Sequence, residues 1–508
     1  MTATCLTSGT SSRRRPGAES GTGTQTFRSR RTNIRFVIDR RQFLTGLGAS
    51  LGAVSVGCGD NRAAAPEGVD AAQGSPDAAV NVCTVASDRS ATELLAGIET
   101  IVVLCMENRS FDHCLGSLRL IEGRTDIDGL TGPESNPDRD GNPVLLHQIS
   151  PFISSDPPHN WIAAHKQWNN GANDGFVLAH AGDFQADVMG YRIREQLPAT
   201  YALADAGAVC NRWFSSCLGP TWPNRAYLHA GTSAGMQQDL PMLFLSPTIW
   251  ERLAGAGLGG MVYYHDVPWV LAAFGQTTGY APVEQFFKDA AAGTLPPFVV
   301  IDPVFFGALA NDDHPTHDSN LGQALVASVA AALGASPQWN RCLFVVTYDE
   351  HGGFFDHVAP PPVSAELEPQ TEFRNLGFRV PAMVIGPHVR RGCAVNTVFD
   401  HTSVLATVSR RFGLEPLNPR VAAAADLSSC IDPLHLDAPL APPQIPVIQL
   451  SEQRLAARQA LAVAEHSELA AALATRPAPP GIDRRGETDQ VVRRVLRWGE
   501  QLGVVRIS

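Results

Sequence analysis

Two pairs of oxygen-bearing side chains in the sequence are placed to bind a metal ion. Glu107 and Asn108 directly follow an apolar, strand-like run, and Asp349 and Glu350 follow a second run of the same kind. Ligands of open α/β sheets bind at the carboxyl ends of the strands. Carboxylate and amide oxygens favour a hard divalent cation such as calcium or magnesium over a thiolate-bound metal. The two pairs therefore predict one divalent metal ion at the carboxyl ends of two strands.

The backbone after the second pair decides whether both acids can face the same ion. Asp349 and Glu350 are adjacent, so both reach one cation only if the chain turns sharply, and Gly352 and Gly353 permit that turn. The alternative is an ordinary exit from a strand, with the acidic side chains in solvent.

A hydroxyl group and three imidazoles extend this set towards catalysis. Thr221 precedes a helical pattern over residues 226–234, and the dipole and free amides of a helix start favour a phosphate. His159, His314 and His357 come from loop-like segments. A divalent cation would lower the pKa of a hydroxyl, and an imidazole would protonate the leaving alkoxide. The set predicts that Thr221 attacks the phosphorus of an ester and forms a phosphothreonine intermediate.

Some of these residues also have purely structural interpretations. Thr221 could be a plain N-cap of its helix, and His159 could be an imidazole packed in the core. Two other kinds of site are not expected. No G-x-S-x-G elbow follows a strand, as a serine hydrolase of the α/β type would need, and no CxxC spacing indicates a structural zinc site.

Alternating strand-like and helical segments predict the fold that would position these residues. Apolar, strand-like runs alternate with helical patterns and occur at residues 98–106, 208–210, 261–264, 298–301, 343–346 and 380–385. This alternation predicts an α/β fold with a mostly parallel central sheet and helices on both faces. A helical C-terminal extension would follow, with one long helix over 452–475 and another over 491–502.

Changes in composition divide the chain into five predicted parts. Residues 1–38 lack periodicity and are predicted to be disordered or not translated. The other parts are a Tat-type export signal with a candidate lipoprotein cysteine (39–58), a flexible tether (59–93), the catalytic domain (94–432) and the helical C-terminal extension (433–508).

Arg40 and Arg41 begin a segment with the features of a Tat export signal. Phe and Leu follow the twin arginines, and residues 45–57 are uncharged, weakly apolar and too short to span a bilayer stably. The segment predicts a protein that is periplasmic, held at the cell surface as a lipoprotein, or secreted. Cys58 ends the run, but Ser55 stands where lipoprotein sites normally carry Leu. Lipid attachment and simple cleavage therefore both stay open.

The cysteine count permits disulfides in such an exported protein. The chain has ten cysteines, and an even number remains when Cys5 and Cys58 are set aside. Outside the cytoplasm an even number is consistent with disulfide pairing, and Cys210 and Cys217 are the predicted local pair.

The charge distribution argues against one class of partner. The net charge is −11, although the first 41 residues hold nine arginines against two acidic residues, so the rest of the chain is strongly acidic. No basic patch stands out, and nucleic acid is therefore not an expected partner. A phosphate ester is not excluded, because a bound metal ion would supply positive charge locally.

Successive blocks of the sequence resemble the bacterial phosphoesterase family, which includes phosphatidylcholine-preferring phospholipases C and acid phosphatase A within the alkaline-phosphatase-like superfamily. The blocks occur in order over roughly residues 97–415, and they are IVVLCMENRSFDHCLGSL, GPTWPNRAYLHAGTS, NDDHP, VVTYDEHGGFFDHVAPP, GFRVPAMVIGPHVRRG and FDHTSVL.

The resemblance implies roles for individual residues. In that family a Glu-Asn pair, an Asp-Glu pair and the Thr or Ser of the GPT block bind the metal, and the Thr or Ser is the nucleophile. The matching residues here are Glu107, Asn108, Thr221, Asp349 and Glu350. The resemblance also implies that His159 and His314 contact the phosphoryl group.

Two departures from the family pattern bear on the substrate. Cys114 stands where relatives usually carry an aromatic residue, and a helical segment after Pro433 replaces the β-rich C-terminal modules of the large secreted phospholipases C. The expected function is a metal-dependent phosphodiesterase of phospholipase C type. Its substrate would be a phospholipid head group or another small phosphate ester, and it would reach a membrane surface through the substrate or a lipid anchor. The alternatives are an acid phosphatase for phosphomonoesters and a surface binding protein without catalysis.

Overall fold

The computed structural model of this protein describes residues 87–150, 155–180, 182–241, 244–460, 466–476 and 478–508. The predicted export signal, Cys58 and most of the predicted tether lie outside these residues. All described residues belong to one compact unit, Pro76–Ser508. Within this part of the chain, no helix combines the length and the apolar character needed to cross a bilayer.

An eight-stranded sheet forms the centre of this unit, and small two-stranded sheets lie apart from it. The strands in chain order are β1 (Thr100–Met106), β2 (Ser135–Pro137), β3 (Pro143–Leu145), β4 (His147–Gln148), β5 (Gly190–Tyr191), β6 (Ala208–Cys210), β7 (Gly260–Tyr264), β8 (Tyr280–Pro282), β9 (Phe298–Asp302), β10 (Cys342–Tyr348), β11 (Ala382–Ile385), β12 (Cys393–Val395), β13 (Ile448–Leu450) and β14 (Val505–Ile507). The order in the large sheet is β12-β6-β11-β10-β1-β9-β7-β8. Strand β11 is antiparallel to both neighbours, and the other pairs are parallel. The predicted mostly parallel central sheet is confirmed.

Helices cover the sheet, as predicted for this fold class. Every residue of β1 and β10 is buried, which requires cover on both faces. The helices in chain order are α1 (Ala91–Leu95), α2 (Phe111–Leu115), α3 (Ser117–Leu120), α4 (Trp161–Trp168), α5 (Phe176–Ala179), α6 (Pro198–Ala206), α7 (Thr221–Ala230), α8 (Ile249–Gly255), α9 (Trp269–Phe274), α10 (Val283–Ala292), α11 (Ser319–Gly334), α12 (Thr402–Phe412), α13 (Pro419–Ala423), α14 (Pro433–Asp437), α15 (Glu452–Gln459), α16 (Ser467–Thr475) and α17 (Thr488–Gln501). The α/β architecture is therefore confirmed.

The prediction of one long helix over 452–475 is wrong. Helix α15 ends at Gln459, and His466, with φ −65° and ψ 78°, is a non-helical residue directly before α16. The sequence is rich in alanine on both sides of this break, so its local helix propensity is high throughout. The sequence did not predict this break, because His466 is held by a residue that is distant in sequence, Asp312.

The C-terminal helices pack against helices of the central unit. Helix α17 lies along α11, and Trp498 of α17 stacks on Phe287 of α10 with ring centroids 5.3 Å apart. Strands β13 and β14 pair in parallel and join the two ends of this region.

Cys210 and Cys217 do not form the predicted local disulfide. Both are buried free thiols. Cys210 ends β6 beside Cys430, whereas Cys217 lies before α7 with its Sγ 3.6 Å from Asn224 Oδ1. A short spacing in sequence could not show that the chain leaves the sheet between the two cysteines. By contrast, Cys393 is disulfide-bonded.

The register of β1 and β10 places the ends of the two strands side by side. Met106 pairs with Tyr348, and Asp349 N donates to the Met106 carbonyl at 3.1 Å. Glu107 and Asp349 therefore leave the sheet as neighbours. The two predicted metal-binding pairs share one edge of the sheet.

Candidate active site

Backbone hydrogen bonds tie the two strand ends together. Asp349 Oδ1 accepts from Asn108 N at 3.0 Å and from Glu350 N at 2.7 Å. The chain then turns at Gly352, where φ is 64° and an added Cβ would lie 2.0 Å from the Asn108 carbonyl oxygen. Since a side chain does not fit there, the turn requires glycine. The sharp turn predicted after the acidic pair is present.

Thr221 is the first residue of α7, and its hydroxyl lies beside the strand ends. The N-cap of this helix is Pro220, whose side chain has no hydrogen-bonding group, so Thr221 is not a plain N-cap. Thr221 Oγ1 lies 3.4 Å from Glu107 Oε2 and 3.4 Å from Asn108 Oδ1. A hydroxyl, a carboxylate and an amide oxygen thus meet at one point.

The start of α7 offers a phosphate fewer amides than the sequence suggests. Trp222 N donates to Asp239 Oδ1 at 2.7 Å, and Pro223 has no amide hydrogen. Burial raises the pKa of Asp239 to about 7. The backbone amides of the first turn of α7 therefore add little positive charge to the site.

Arg225 lies one turn beyond Thr221 on α7 and was missed by the sequence reasoning. Its Nη2 is 2.6 Å from Glu107 Oε1, and its Nε is 3.2 Å from Asp349 Oδ2. The guanidinium also donates to the Cys105 carbonyl at 3.1 Å. It therefore joins both strand ends from inside the protein. Arg225 lies in the quoted block GPTWPNRAYLHAGTS, one helical turn after Thr221, but neither the block nor the spacing reveals which groups it contacts.

Buried negative charge exceeds buried positive charge around Thr221. Glu107, Asp349 and Glu350 are fully buried, and Arg225 is the cation that contacts the first two. Burial and the charge of Asp349 raise the pKa of Glu107 well above its usual value, and burial raises that of Asp349. Glu350 Oε1 is buried without a hydrogen-bond partner among the described residues. Oxygen donors with unbalanced negative charge fit a divalent cation.

The groups of potential ligands that come closest together in the described part of the chain do not include the acids at the strand ends. Ligand atoms come within 4.8 Å of one another in the groups His314–His317–His466, Asp156–His159–His314 and Asp112–Asp356–His357. The acids at the strand ends form no such group, because Arg225 stands between Glu107 and Asp349. A cation would lie on the other side of Glu107, where Oε2 faces Thr221 and Asn108. Direct ligation by Asp349 stays a prediction.

His159 lies beside the predicted metal ligands. Its Nδ1 donates to the Pro157 carbonyl at 2.7 Å, and its Nε2 is 3.1 Å from Asn108 Nδ2 and 4.0 Å from Glu350 Oε1. Burial alone would lower the pKa of His159, but the charges of Glu350 and Asp156 raise it to about 9. A cation bound at Glu350 would weaken this effect, because it would neutralise the carboxylate.

His314 lies next to His159, but its pKa is shifted in the opposite direction. The two ring centroids are 5.5 Å apart in an edge-to-face arrangement. Nδ1 of His314 donates to the Pro315 carbonyl at 2.9 Å, so Nε2 is the proton acceptor of the neutral ring. Burial and the neighbouring imidazoles, His466 first, lower the pKa of His314 well below its usual value. His314 therefore suits a base, whereas His159, whose Nε2 accepts from Asn108 Nδ2, can act as an acid only when that contact is exchanged.

Thr221 and both imidazoles line one cavity of about 180 Å³. Its lining consists of Asp156, His159, Thr221, Asp239, His314, His466, Ser467 and Glu468. Larger cavities of about 500 and 570 Å³ lie elsewhere, and the residues that line them include no histidine. The small cavity is therefore the candidate active site, and part of its wall comes from residues that the sequence did not indicate.

Asp312 and His401 hold the backbone of the site. Glu107 N donates to the Asp312 carbonyl at 2.7 Å, and His401 Nε2 donates to the Asp349 carbonyl at 2.7 Å. Both residues lie in blocks that carry the family resemblance, NDDHP and FDHTSVL, but a block does not reveal which contact each residue makes. They fix the residues that follow the strands.

His357 does not line this cavity and takes part in a separate network, and its predicted catalytic role stays a prediction. Its Nδ1 is 2.7 Å from Asp112 Oδ2, and its Nε2 is 3.4 Å from Asp128 Oδ1. Arg379 joins the same network at 3.1 Å from Asp112 and 2.8 Å from Asp356. The imidazole thus belongs to a largely buried network of ion pairs.

Replacing His357 by Gln should remove a pH-dependent part of the stability. Burial alone would lower the pKa of His357, but Asp112 and Asp128 raise it to about 10. The unfolded-state pKa is roughly 6.5, so the imidazolium stabilises the fold fully below that pH, and this contribution is lost as the pH rises towards 10. The difference in Tm between wild type and His357→Gln should be largest near pH 6 and shrink towards pH 10. A difference that is constant with pH would contradict this role.

Known proteins match more than half of this chain. The model of the phosphoesterase family matches residues 98–415. Non-specific phospholipase C6 of Arabidopsis thaliana is 35% identical over 402 residues, which cover 70% of this chain and 77% of that protein. Phospholipase C B of Mycobacterium tuberculosis is 32% identical over 410 residues, which cover 66% of this chain and 78% of that protein.

Solved structures match more distantly. A protein of the alkaline phosphatase superfamily from Vibrio parahaemolyticus aligns over 68% of this chain and 75% of that chain, with a TM-score of 0.31 and 12% identity, too low to add to the fold described above. The family match, by contrast, spans both strand ends, Thr221 and His314. The predicted family is therefore confirmed: the chain belongs to the phosphoesterase family and is a hydrolase of phosphoric ester bonds.

Proposed function

We propose that this protein is an exported phosphodiesterase of phospholipase C type in which a divalent metal ion activates Thr221. The main support for this proposal is the position of the Thr221 hydroxyl. It lies at a helix start, 3.4 Å from Glu107 and from Asn108, next to buried carboxylates whose charge is not balanced. A hydroxyl in such a place is suited to attack a phosphoryl group. The names of the phospholipase C relatives support the class of substrate.

The first half of the reaction would transfer the phosphoryl group to Thr221. A divalent cation, when bound, would lower the pKa of the hydroxyl and offset the charge of the phosphoryl oxygens. His314 Nε2 would accept the proton of Thr221 while Oγ1 forms its bond to phosphorus. The bond between phosphorus and the alcohol oxygen breaks, and His159, in the same cavity, is placed to give that oxygen a proton.

The second half would release the phosphoryl group to water. A water molecule attacks phosphorus and gives a proton to His159, which lost one in the first half; the bond to Thr221 Oγ1 breaks, and that oxygen takes back the proton held by His314. The products are an alcohol and a phosphate monoester. Two displacements at phosphorus would retain its configuration, whereas direct attack by water would invert it.

The shape and charge of the cavity favour a small head group. Its volume is about 180 Å³, and Asp156, Asp239 and Glu468 add acidic groups to its wall. A phosphomonoesterase would use the same residues and remains the second candidate. The third prediction, a binding protein without catalysis, is wrong, because the family consists of phosphoric ester hydrolases.

Purified, metal-loaded protein should hydrolyse p-nitrophenyl phosphorylcholine with a higher kcat/KM than p-nitrophenyl phosphate. The acidic groups in the cavity wall repel the second negative charge of a monoester, and the diester carries only one. The two rates should be compared at one pH and one metal concentration. A clear preference for the monoester would favour the phosphatase.

Replacing Thr221 by Ala should lower kcat by roughly a thousandfold or more, because the nucleophile is lost. Thr221→Ser should keep much of the activity, because a hydroxyl remains at the helix start. Thr277→Ala, at an exposed position, serves as the control. A folded Thr221→Ala protein with the wild-type rate, or inversion at a chiral phosphorus, would show that water attacks directly.

Removing the cation should abolish turnover, and the loss of one carboxylate should weaken its binding. Chelation by EDTA should stop the reaction, and calcium or magnesium should restore it. Glu107→Gln should lower both the metal content, measured by elemental analysis, and kcat. Glu372→Gln removes an exposed acid and should change neither. Full activity of wild-type protein that contains no metal would refute the metal-dependent mechanism.

Export depends on the twin-arginine segment. The variant with Arg40→Lys and Arg41→Lys should stay in the cytoplasm, as shown by cell fractionation, because the Tat pathway needs the arginine pair. Unchanged export of this variant would argue for another route.

A further inference from the structure

One wall of the active-site cavity comes from a part of the chain beyond the family match. Residues 466–468, at the start of α16, line the same cavity as Thr221, whereas the match ends at residue 415. We call these residues, together with α15 (Glu452–Gln459), the C-terminal clamp. The clamp contacts residues 312–318, which we call the histidine loop because they include His314.

The backbone of the histidine loop needs support from outside. Asp313 and Thr316 have φ values of 73° and 81°, a region that residues other than glycine rarely adopt. The clamp contacts the loop before and after these two strained residues, at Asp312 and at Asp318. Arg454 makes two hydrogen bonds of 2.8 Å to Asp318, and Arg458 Nη2 donates to the Thr316 carbonyl at 2.7 Å.

His466 makes the contact of the clamp that reaches the cavity. Its Nε2 is 3.0 Å from Asp312 Oδ2, and its Nδ1 is 3.0 Å from Glu468 Oε1. Ionised carboxylates only accept hydrogen bonds, so both ring nitrogens carry protons. Asp312 Oδ1 accepts in turn from His317 Nδ1 at 2.6 Å and from His314 N at 3.0 Å. Asp312 therefore links His466 to both histidines of the loop.

The same contacts argue against a second metal site at these histidines. His314, His317 and His466 bring ligand atoms within 4.8 Å of one another. An imidazole binds a metal through the lone pair of a nitrogen that carries no proton. His466 has no such nitrogen while both of its N–H groups donate to carboxylates. Its ring instead packs edge-on against His314, with centroids 4.8 Å apart.

We infer that His466 and Arg458 of the C-terminal clamp are positioning residues of the active site: His466 acts through Asp312, and Arg458 acts through the Thr316 carbonyl, to hold His314 in place. The inference rests on the proposed function, in which His314 accepts the proton of Thr221. Without His466, one oxygen of Asp312 loses its donor, and the strained loop loses its contact at the cavity. His314 then takes up other orientations, and the chemical step slows although the substrate still binds.

His466→Gln should lower kcat roughly tenfold or more, since an oriented base contributes at least that much, while KM changes little. Its matched control is His435→Gln, which replaces a histidine of α14 whose Nδ1 is 2.9 Å from the Val389 carbonyl, away from the cavity. The control should keep the wild-type kcat. Wild-type kcat in His466→Gln would overturn the inference.

A double-mutant cycle tests whether His466 acts through Asp312. If it does, the variant with both His466→Gln and Asp312→Asn should have about the kcat of Asp312→Asn alone. The Asp312→Asn change already removes the ion pair through which His466 acts, so replacing His466 as well has no further effect. Effects that multiply would overturn the linkage. Failure of the proposed function is a separate result, since the wild-type protein would then lack phosphodiesterase activity or Thr221→Ala would keep it.

If thermal unfolding shows that His466→Gln does not fold, a second variant tests the inference. Arg458→Gln removes the hydrogen bond to the Thr316 carbonyl and changes no residue that lines the cavity. It should lower kcat in the same way, with the metal content unchanged. A folded Arg458→Gln protein with the wild-type kcat would then overturn the inference. So would the loss of a bound metal ion on replacing His466, because the cluster would then be a metal site.

Discussion

The excess of buried negative charge at the ends of β1 and β10 is the constraint on which the active site depends. Glu107, Asp302 and Asp349 surround the single guanidinium of Arg225 at distances of 2.6, 3.7 and 3.2 Å, and Glu350 adds a fourth buried carboxylate. Buried carboxylates without a partner tend to take up protons, and burial raises the pKa of Asp302 to about 6. A bound cation would keep these groups ionised, and the binding of the proposed metal ion would then stabilise this edge of the sheet.

Helix α7 supplies both the guanidinium that contacts these carboxylates and Thr221, the proposed nucleophile. Arg225 and Thr221 are one turn apart, so both point to the same side of the helix. The contacts of the guanidinium with the two strand ends fix the rotation of α7 about its axis. They thereby also fix the direction of the Thr221 hydroxyl. One set of contacts therefore both holds the sheet edge together and orients the hydroxyl of Thr221, the proposed nucleophile.

Local patterns made the sheet and the strand-end residues predictable, because strand runs and the residues that follow them are neighbours in sequence. The pairing of Arg225 with both strand ends was not predictable, since its partners lie more than a hundred residues away along the chain. His159 and His357 illustrate the same limit. Each follows a proline-rich or glycine-rich stretch, yet one lies beside Glu350 and the other beside Asp112. Their partners, and not their own surroundings in the sequence, decide their roles.

The C-terminal clamp also sets an order of events during synthesis. The ribosome makes the carboxylates, Thr221 and His314 before it makes residues 466–468, which form part of the cavity wall. A nascent chain whose His466 has not yet left the ribosome has Thr221, the proposed nucleophile, but an incomplete cavity and a histidine loop without its contacts to the clamp. If the clamp positions His314 as we infer, the chain becomes an active hydrolase only late in translation, and chains that stop before the clamp are poor catalysts.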